Sequence, residues 1–237
     1  MDGIINIYKP RGITSYDVIR IIKKEFNFKD KIGHGGTLDP IGEGVLIICL
    51  GNMTKISNKF LNFDKEYIAE VLLGVKTDTD DIEGKIIEEK KIENLDENKI
   101  IQVFKSFEGE IEQIPPFVSA IKYKGKPLYK YYRKGIKIQP PARKVIIKKI
   151  EILKISLPYI EFKVLCSKGT YIRALCRDIG EKLGCGGTQN KLIRTKVGPF
   201  RIENSVKLEK LKNEGIDRYL IYPEEILKIL KTEGVYE

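Results

Sequence analysis

The chain has 237 residues, of which 42% are hydrophobic and 32% charged, and its formal net charge is +10. That length suits one large domain with a sizeable apolar core, which excludes wholesale disorder. No run approaches eighteen apolar residues and the start, MDGIINIYKP, is not a signal peptide, so neither membrane insertion nor export is expected and the cytoplasm is the expected location.

The positive balance makes nucleic acid the first partner to consider. Its distribution strengthens the point. Residues 113 to 149 hold eleven Lys or Arg and no acid, whereas residues 64 to 112 hold fifteen acids against seven bases. The four cysteines, Cys49, Cys166, Cys176 and Cys185, lack C-x-x-C spacing, and His34 is the only histidine. Reduced core thiols are expected, and no metal site.

In chain order, residues 4 to 8 read as a short strand, followed by the turn Lys9-Pro10-Arg11-Gly12. Thr14 or Ser15 then caps a helix with Val18, Ile19, Ile22 and Phe26 on one face. The stretch KIGHGGTLDPIGEGVLIICLG, residues 31 to 51, organises the rest. It is a glycine-rich loop feeding an apolar run, Val45 to Leu50, that reads as a buried strand. Asp39 precedes Pro40, which biases it towards extended backbone on a loop expected to close over a substrate. A phosphate-binding loop is excluded because no Lys-Ser/Thr pair closes the glycines. The dinucleotide fingerprint is excluded because the glycines precede a strand instead of following one.

Residues 53 to 61 suggest a short helix, and Tyr67, Ala69, Val71, Leu73 and Val75 alternate as in a half-buried strand. Asp78, Asp80, Asp81 and Glu83 lack an EF-hand's spacing and read as a polar turn. Asp96 is placed to cap a helix over residues 97 to 107. The basic segment follows, with Tyr123, Tyr129, Tyr131 and Tyr132 interleaved among Lys122, Lys124, Lys126, Lys130, Arg133 and Lys134. Stacking faces beside phosphate-neutralising cations suit RNA loops. Strands are expected over 145 to 155 and 159 to 166. A helix with the stripe Ile172, Leu175, Cys176, Ile179 and Leu183 then ends near Gly184. Arg173 and Arg177 lie off that stripe. Two short amphipathic stretches near Leu208 and Leu227 close the sequence, without a visible linker or repeat.

Taken as a longer string, GHGGTLDPIGEGVL resembles the signature G-H-x-G-T-L-D-P-x-x-x-G-V-L of the bacterial tRNA pseudouridine-55 synthase (TruB) family. The departure is Ile41-Gly42-Glu43, beyond the acid. Four further strings resemble the family in order: K-P-x-G-x-T-S from Lys9, LGVKTDTDDIEG after Tyr67, P-P-x-x-S-A-x-K-x-x-G-K-P-L-Y from Pro115, and C-S-K-G-T-Y-I-R from Cys166. Leu192, Arg194-Thr195 and Gly198-Pro199-Phe200 resemble its next motif.

The resemblance implies an α+β pseudouridine synthase catalytic fold, with a mixed, mostly antiparallel sheet flanked by helices and a basic RNA-clamping insertion at about 113–145. It implies a single catalytic domain over 1–237, with 201–237 a short tail and no full C-terminal RNA-binding domain of the PUA type. Asp39 would be the catalytic residue, Arg173 its ionic partner and Tyr67 a third site residue. His34 would stack or insert at the flipped base, and Leu192 would pack against it. Lys9, Lys122, Lys124, Lys126, Tyr129, Arg133 and Arg143 would contact the RNA. The implied reaction is uridine to pseudouridine at position 55 in the T loop of tRNA, by a monomer, with no cofactor and no metal. A non-catalytic RNA-binding or tRNA-folding protein using the same cleft is the competing expectation.

Overall fold

The structure, a computed structural model, describes residues 1–93 and 95–234. Its strands and helices begin with β1 (Gly3–Lys9), α1 (Ser15–Glu25), β2 (Ile32–His34), β3 (Gly42–Leu50), α2 (Ser57–Leu61), β4 (Lys65–Leu73), β5 (Val75–Thr77) and β6 (Ile86–Glu89). Next come α3 (Glu97–Lys105), β7 (Gly109–Gln113), β8 (Lys122–Tyr123), β9 (Lys126–Pro127), α4 (Leu128–Tyr132), β10 (Arg143–Ser156) and β11 (Tyr159–Cys166). The last are α5 (Ile172–Leu183), β12 (Gly187–Val197), β13 (Phe200–Arg201), β14 (Val206–Lys207), α6 (Leu208–Glu214) and α7 (Pro223–Thr232). The fold is α+β, with a mostly antiparallel sheet flanked by helices. Among the described residues no helix is long and apolar enough to cross a membrane.

Two compact units are present: residues 1–67 with 193–237, and residues 68–192. The boundaries fall inside β4 and inside β12. A chain that changes unit within a strand has no Pro-, Gly- or Ser-rich linker to betray the division.

In the first unit β3 runs antiparallel to β1, pairing Gly3 with Leu50 through Lys9 with Gly44, and β14 adds to β1 in parallel. Successive side chains of a strand point to opposite faces, and both faces are covered here. Ile5, Ile7, Leu46, Ile48 and Leu50 pack with Val18, Ile19 and Ile22 of α1 and Leu211 of α6. Ile4, Val45, Ile47 and Cys49 pack with Phe60, Phe63, Phe200 and with Ile226 and Leu230 of α7. That explains why Val45 to Leu50 reads as an unbroken apolar run. Within the segment expected as a short tail, 201–237, residues 206–232 supply a strand and two helices of this core. Of the two caps the sequence offers, Thr14 is the one used, through a reciprocal capping box with Asp17. Gly44 has φ +102, and a Cβ there would overlap the backbone of Arg194.

In the second unit the order is β4-β11-β10-β7, with β11 and β7 both antiparallel to β10. β4 alternates buried and half-buried residues along its whole length, but it stops at Leu73; Gly74, at φ +81, turns the chain so that Val75 opens β5. Phe104 of α3 meets Phe162 of β11 edge to face at 5.2 Å. Asp96 stands at the start of α3 without a capping bond from its side chain. All four cysteines are buried, with no disulfide among the described residues, and burial pushes the Cys49 thiol up to about 12.

Candidate active site

Asp39 sits at the first position of a turn. The Gly42 N–H donates to the Asp39 carbonyl at 3.0 Å, with Pro40 second in the turn, where its fixed φ is favoured. The sequence reading holds the acid at a fixed angle on a loop that can close over a substrate, and several bonds tie that loop to its neighbours. Ser15 Oγ accepts from the Leu38 N–H at 2.8 Å and donates to the Leu38 carbonyl at 3.0 Å. Gly35 N–H reaches the Ile47 carbonyl at 2.8 Å, and Gly12 N–H reaches the Pro40 carbonyl at 2.8 Å. The half-buried carboxylate therefore stands on a rigid platform.

Two buried cations complete that platform. Arg194, on β12, donates from Nε to the Val45 carbonyl at 2.7 Å, and from its terminal nitrogens to Thr37 and Gly36 carbonyls at 3.2 Å each. Charge-assisted bonds of this kind are about twice as strong as neutral ones. In the sequence Arg194 stands only as part of a motif, within the mostly polar stretch GTQNKLIRTKV that gives no sign of its burial. Lys9 is 0% exposed, and its ammonium donates to the carbonyls of Pro10 at 2.9 Å, Ile13 at 2.7 Å and Pro40 at 3.5 Å. It was expected to contact RNA; with its head turned inwards, the bonds described here tie the first turn to the Asp39 loop.

His34 ends β2, opposite Ile48 of β3. Its Nδ1 is buried with no hydrogen-bond partner among the described residues. Burial first, and the Arg194 charge second, hold its pKa below the ordinary 6.5. The ring is thus neutral at physiological pH, which suits stacking on a base. A depressed histidine contributes stability above pH 6.5 and loses it as pH falls through the folded pKa. Because His34 is the sole histidine, proton NMR will show one imidazole titration. We expect its midpoint below 6.5; a midpoint at or above 6.5 would contradict the buried, neutral ring.

Tyr67, on β4, is 8% exposed and belongs to the same unit as Asp39. Arg173 and Leu192 belong to the other unit, and both are buried. Arg173, on α5, is 4% exposed; it donates to the carbonyls of Thr79 at 3.1 Å and Val118 at 3.0 Å and lies 3.6 Å from Asp81. Arg177, one turn on, binds Asp80 at 2.9 Å and the Ile114 carbonyl at 2.9 Å. The acid cluster, read as a plain polar turn, therefore receives the two arginines of α5. Those same arginines grip the first residues of the basic insertion. Gln113, also missed in the sequence, is buried and brackets the backbone of Tyr171, with Tyr171 N–H donating to Oε1 at 2.8 Å.

Within the insertion, Lys122, Lys124, Lys126 and Arg133 are exposed. The Arg133 guanidinium lies 5.5 Å over the Tyr129 ring, and Arg143 lies 5.9 Å over Tyr171. Tyr123 and Tyr131 meet edge to face at 5.8 Å. Tyr132 donates its hydroxyl to the Asp78 carboxylate, a bond that raises the phenol to about 12. No group of three or more His, Cys, Asp or Glu among the described residues is placed to hold a metal ion.

Residues 23–172 match the model of the TruB family pseudouridylate synthase N-terminal domain. The chain belongs to that family. Residues 173–227 match the tRNA pseudouridylate synthase B C-terminal domain. The chain is 54% identical over 227 residues to "tRNA pseudouridine synthase B" of Clostridium tetani (strain Massachusetts / E88), covering 96% of this chain and 78% of that one. Against the homologue of that name from Clostridium kluyveri (strain ATCC 8527 / DSM 555 / NBRC 12016 / NCIMB 10680 / K1), identity is 50% over 93% and 76% of the two chains. A chain of the solved structure "Crystal Structure of a Cbf5-Nop10-Gar1 Complex" superposes with TM-score 0.74 at 34% identity. It covers 96% of this chain but only 62% of that one.

Proposed function

We propose that the chain isomerises uridine to pseudouridine in tRNA, at position 55 in the T loop. The family membership and the names of the relatives support the isomerisation; the observation that carries it to a residue is the rigid turn bearing Asp39. The N1–C1′ bond breaks, the base turns, C5 joins C1′, the C5 proton leaves and N1 gains one. Nothing is added or lost overall, so no cofactor is called for by the chemistry.

A carboxylate is suited to an anomeric carbon, where it traps or electrostatically supports oxocarbenium-like charge. A half-buried acid on a pinned turn does this without reorganising as the charge develops. The target nucleotide leaves its stack to reach that acid, at a cost of a few kcal/mol. His34, neutral and planar, offsets part of that cost by stacking or inserting. Tyr67 is assigned to stack on the uracil or assist removal of the C5 proton, and Leu192 to pack against it. Arg173 is assigned, on its motif, to orient the catalytic acid.

The reading is tested by tritium release from [5-³H]uridine-labelled tRNA, with the modified position mapped afterwards. Release confined to the T loop is expected. RNA binding without release would make the chain a non-catalytic RNA-binding protein.

Phosphate contacts in this reading fall to the insertion. Each phosphate neutralised adds about 0.7–0.9 to the slope of log K against log salt. Replacing exposed Lys124, Lys126 and Lys130 by Gln should therefore flatten that slope by roughly 2. An unchanged slope would leave these lysines merely solvated.

A further inference from the structure

The insertion is not the only place where cations and an aromatic ring share an exposed surface. Tyr16 is 57% exposed, an unusual position for a tyrosine beside a core helix face. Arg20, four residues on, lies 5.0 Å over its ring. The pairing is built in: Asp17, fixed by its capping box with Thr14, also holds Arg20 at 3.1 Å. Lys23 and Lys24 follow at the spacing that continues the same face of α1, and both are exposed, as is Arg11 ahead of the helix. The acids in reach are Asp17, engaged by Arg20, and Glu25, engaged by Lys212 of α6 at 2.8 Å. The opposite face of α1, Val18, Ile19 and Ile22, is committed to the core.

The location matters as much as the composition. The start of α1 is bolted to the catalytic loop through Ser15 with Leu38 and through Gly12 with Pro40. The eleven-residue helix, roughly 16 Å long, then carries this basic face along its length. A nucleic-acid strand leaving the loop would meet an aromatic face followed by a row of cations. Arginine stacked on an exposed ring presents its remaining N–H groups as a flat fork suited to phosphate.

We propose that the Tyr16–Arg20–Lys23–Lys24 face of α1, headed by Arg11, is a second RNA contact surface, which takes the strand of the substrate leading away from the flipped nucleotide. Tyr16 stacks on a base and the cations meet consecutive phosphates. The proposal rests on the chain acting on RNA as described above.

Its test uses the full chain and unmodified tRNA transcript, with Kd measured across a salt series and KM and kcat from tritium release. Arg20→Gln/Lys23→Gln/Lys24→Gln should flatten the slope of log Kd against log salt by roughly 2, as for three phosphates. KM should rise about tenfold or more near physiological salt, with kcat unchanged. Tyr16→Ala should weaken binding about tenfold with the slope intact, since stacking releases no counterions. Slope, Kd and KM equal to the parent in both variants would overturn the proposal while leaving the isomerase reading intact. If the parent binds tRNA but releases no tritium, the isomerase reading fails and the α1 face is judged by Kd and slope alone. If the parent binds no RNA, both fail.

Discussion

Asp39→Asn is expected to abolish isomerisation while leaving the chain folded and able to hold tRNA. The substitution keeps the shape of the side chain and removes its charge. The turn is held by backbone groups and by Ser15, Lys9 and Arg194, none of which the substitution deletes. What is lost is the group that meets charge developing on the sugar. The rate should fall by more than about four powers of ten, or about 5.4 kcal/mol of barrier. Affinity should stay within about tenfold, ~1.4 kcal/mol, because phosphate contacts and base flipping do not need the carboxylate. Single-turnover assays on clean protein, with binding measured in parallel, decide the matter. A rate within about four powers of ten of the parent's would remove Asp39 from the catalytic role.

Arg194→Ala should fail in a different manner, losing stability and rate together. Its guanidinium satisfies three carbonyls, those of Val45, Gly36 and the more exposed Thr37. Truncation leaves them without the donor and opens a void beneath the loop. Buried hydrogen bonds to a charged group are each worth about 1.5–3 kcal/mol. Allowing for relaxation and some water entry, about 3 kcal/mol of stability should go, or roughly 6–12 °C in Tm for a chain of this size. The turn bearing Asp39, released on one side, should also cost about a hundredfold in kcat, since an acid misplaced by about 1 Å does so. Arg194→Lys should recover part of the stability but little of the rate, because an ammonium lacks the planar fork that reaches the Val45, Thr37 and Gly36 carbonyls from three separate nitrogens. Parent-like Tm and kcat in Arg194→Ala would show that the loop holds its shape without the arginine.

The two variants separate chemistry from scaffold. Asp39→Asn changes rate at constant Tm; Arg194→Ala changes both.

Much of this molecule was legible in the order of its residues. Thr14 or Ser15 announces the start of α1, the apolar run marks a buried strand, and the alternation from Tyr67 marks β4. Each is a local pattern, and local patterns survive the loss of tertiary context because helix and strand periodicities are properties of the backbone itself. The loop of Asp39 stood out because a string of glycine, acid and proline at fixed spacing matches a family signature, and the family comparison agrees.

The sequence by itself thus determined the fold class, the family and the carboxylate on which the proposed chemistry turns. Only the tertiary structure decided what holds that carboxylate still. Lys9, Ser15 and Arg194 lie 30, 24 and 155 positions from Asp39 in the chain, and nothing in their neighbourhoods shows that their polar heads turn inwards onto the carbonyls of one loop. The acid turn at Asp78–Glu83 looked solvated until α5 presented Arg173 and Arg177 to it, and residues 201–237 looked peripheral until Val206, Leu211, Ile226 and Leu230 closed the core of β1 and β3. A buried cation is tolerated only where several acceptors converge on it, and convergence of distant chain segments is a property of packing, which no local pattern of residues records.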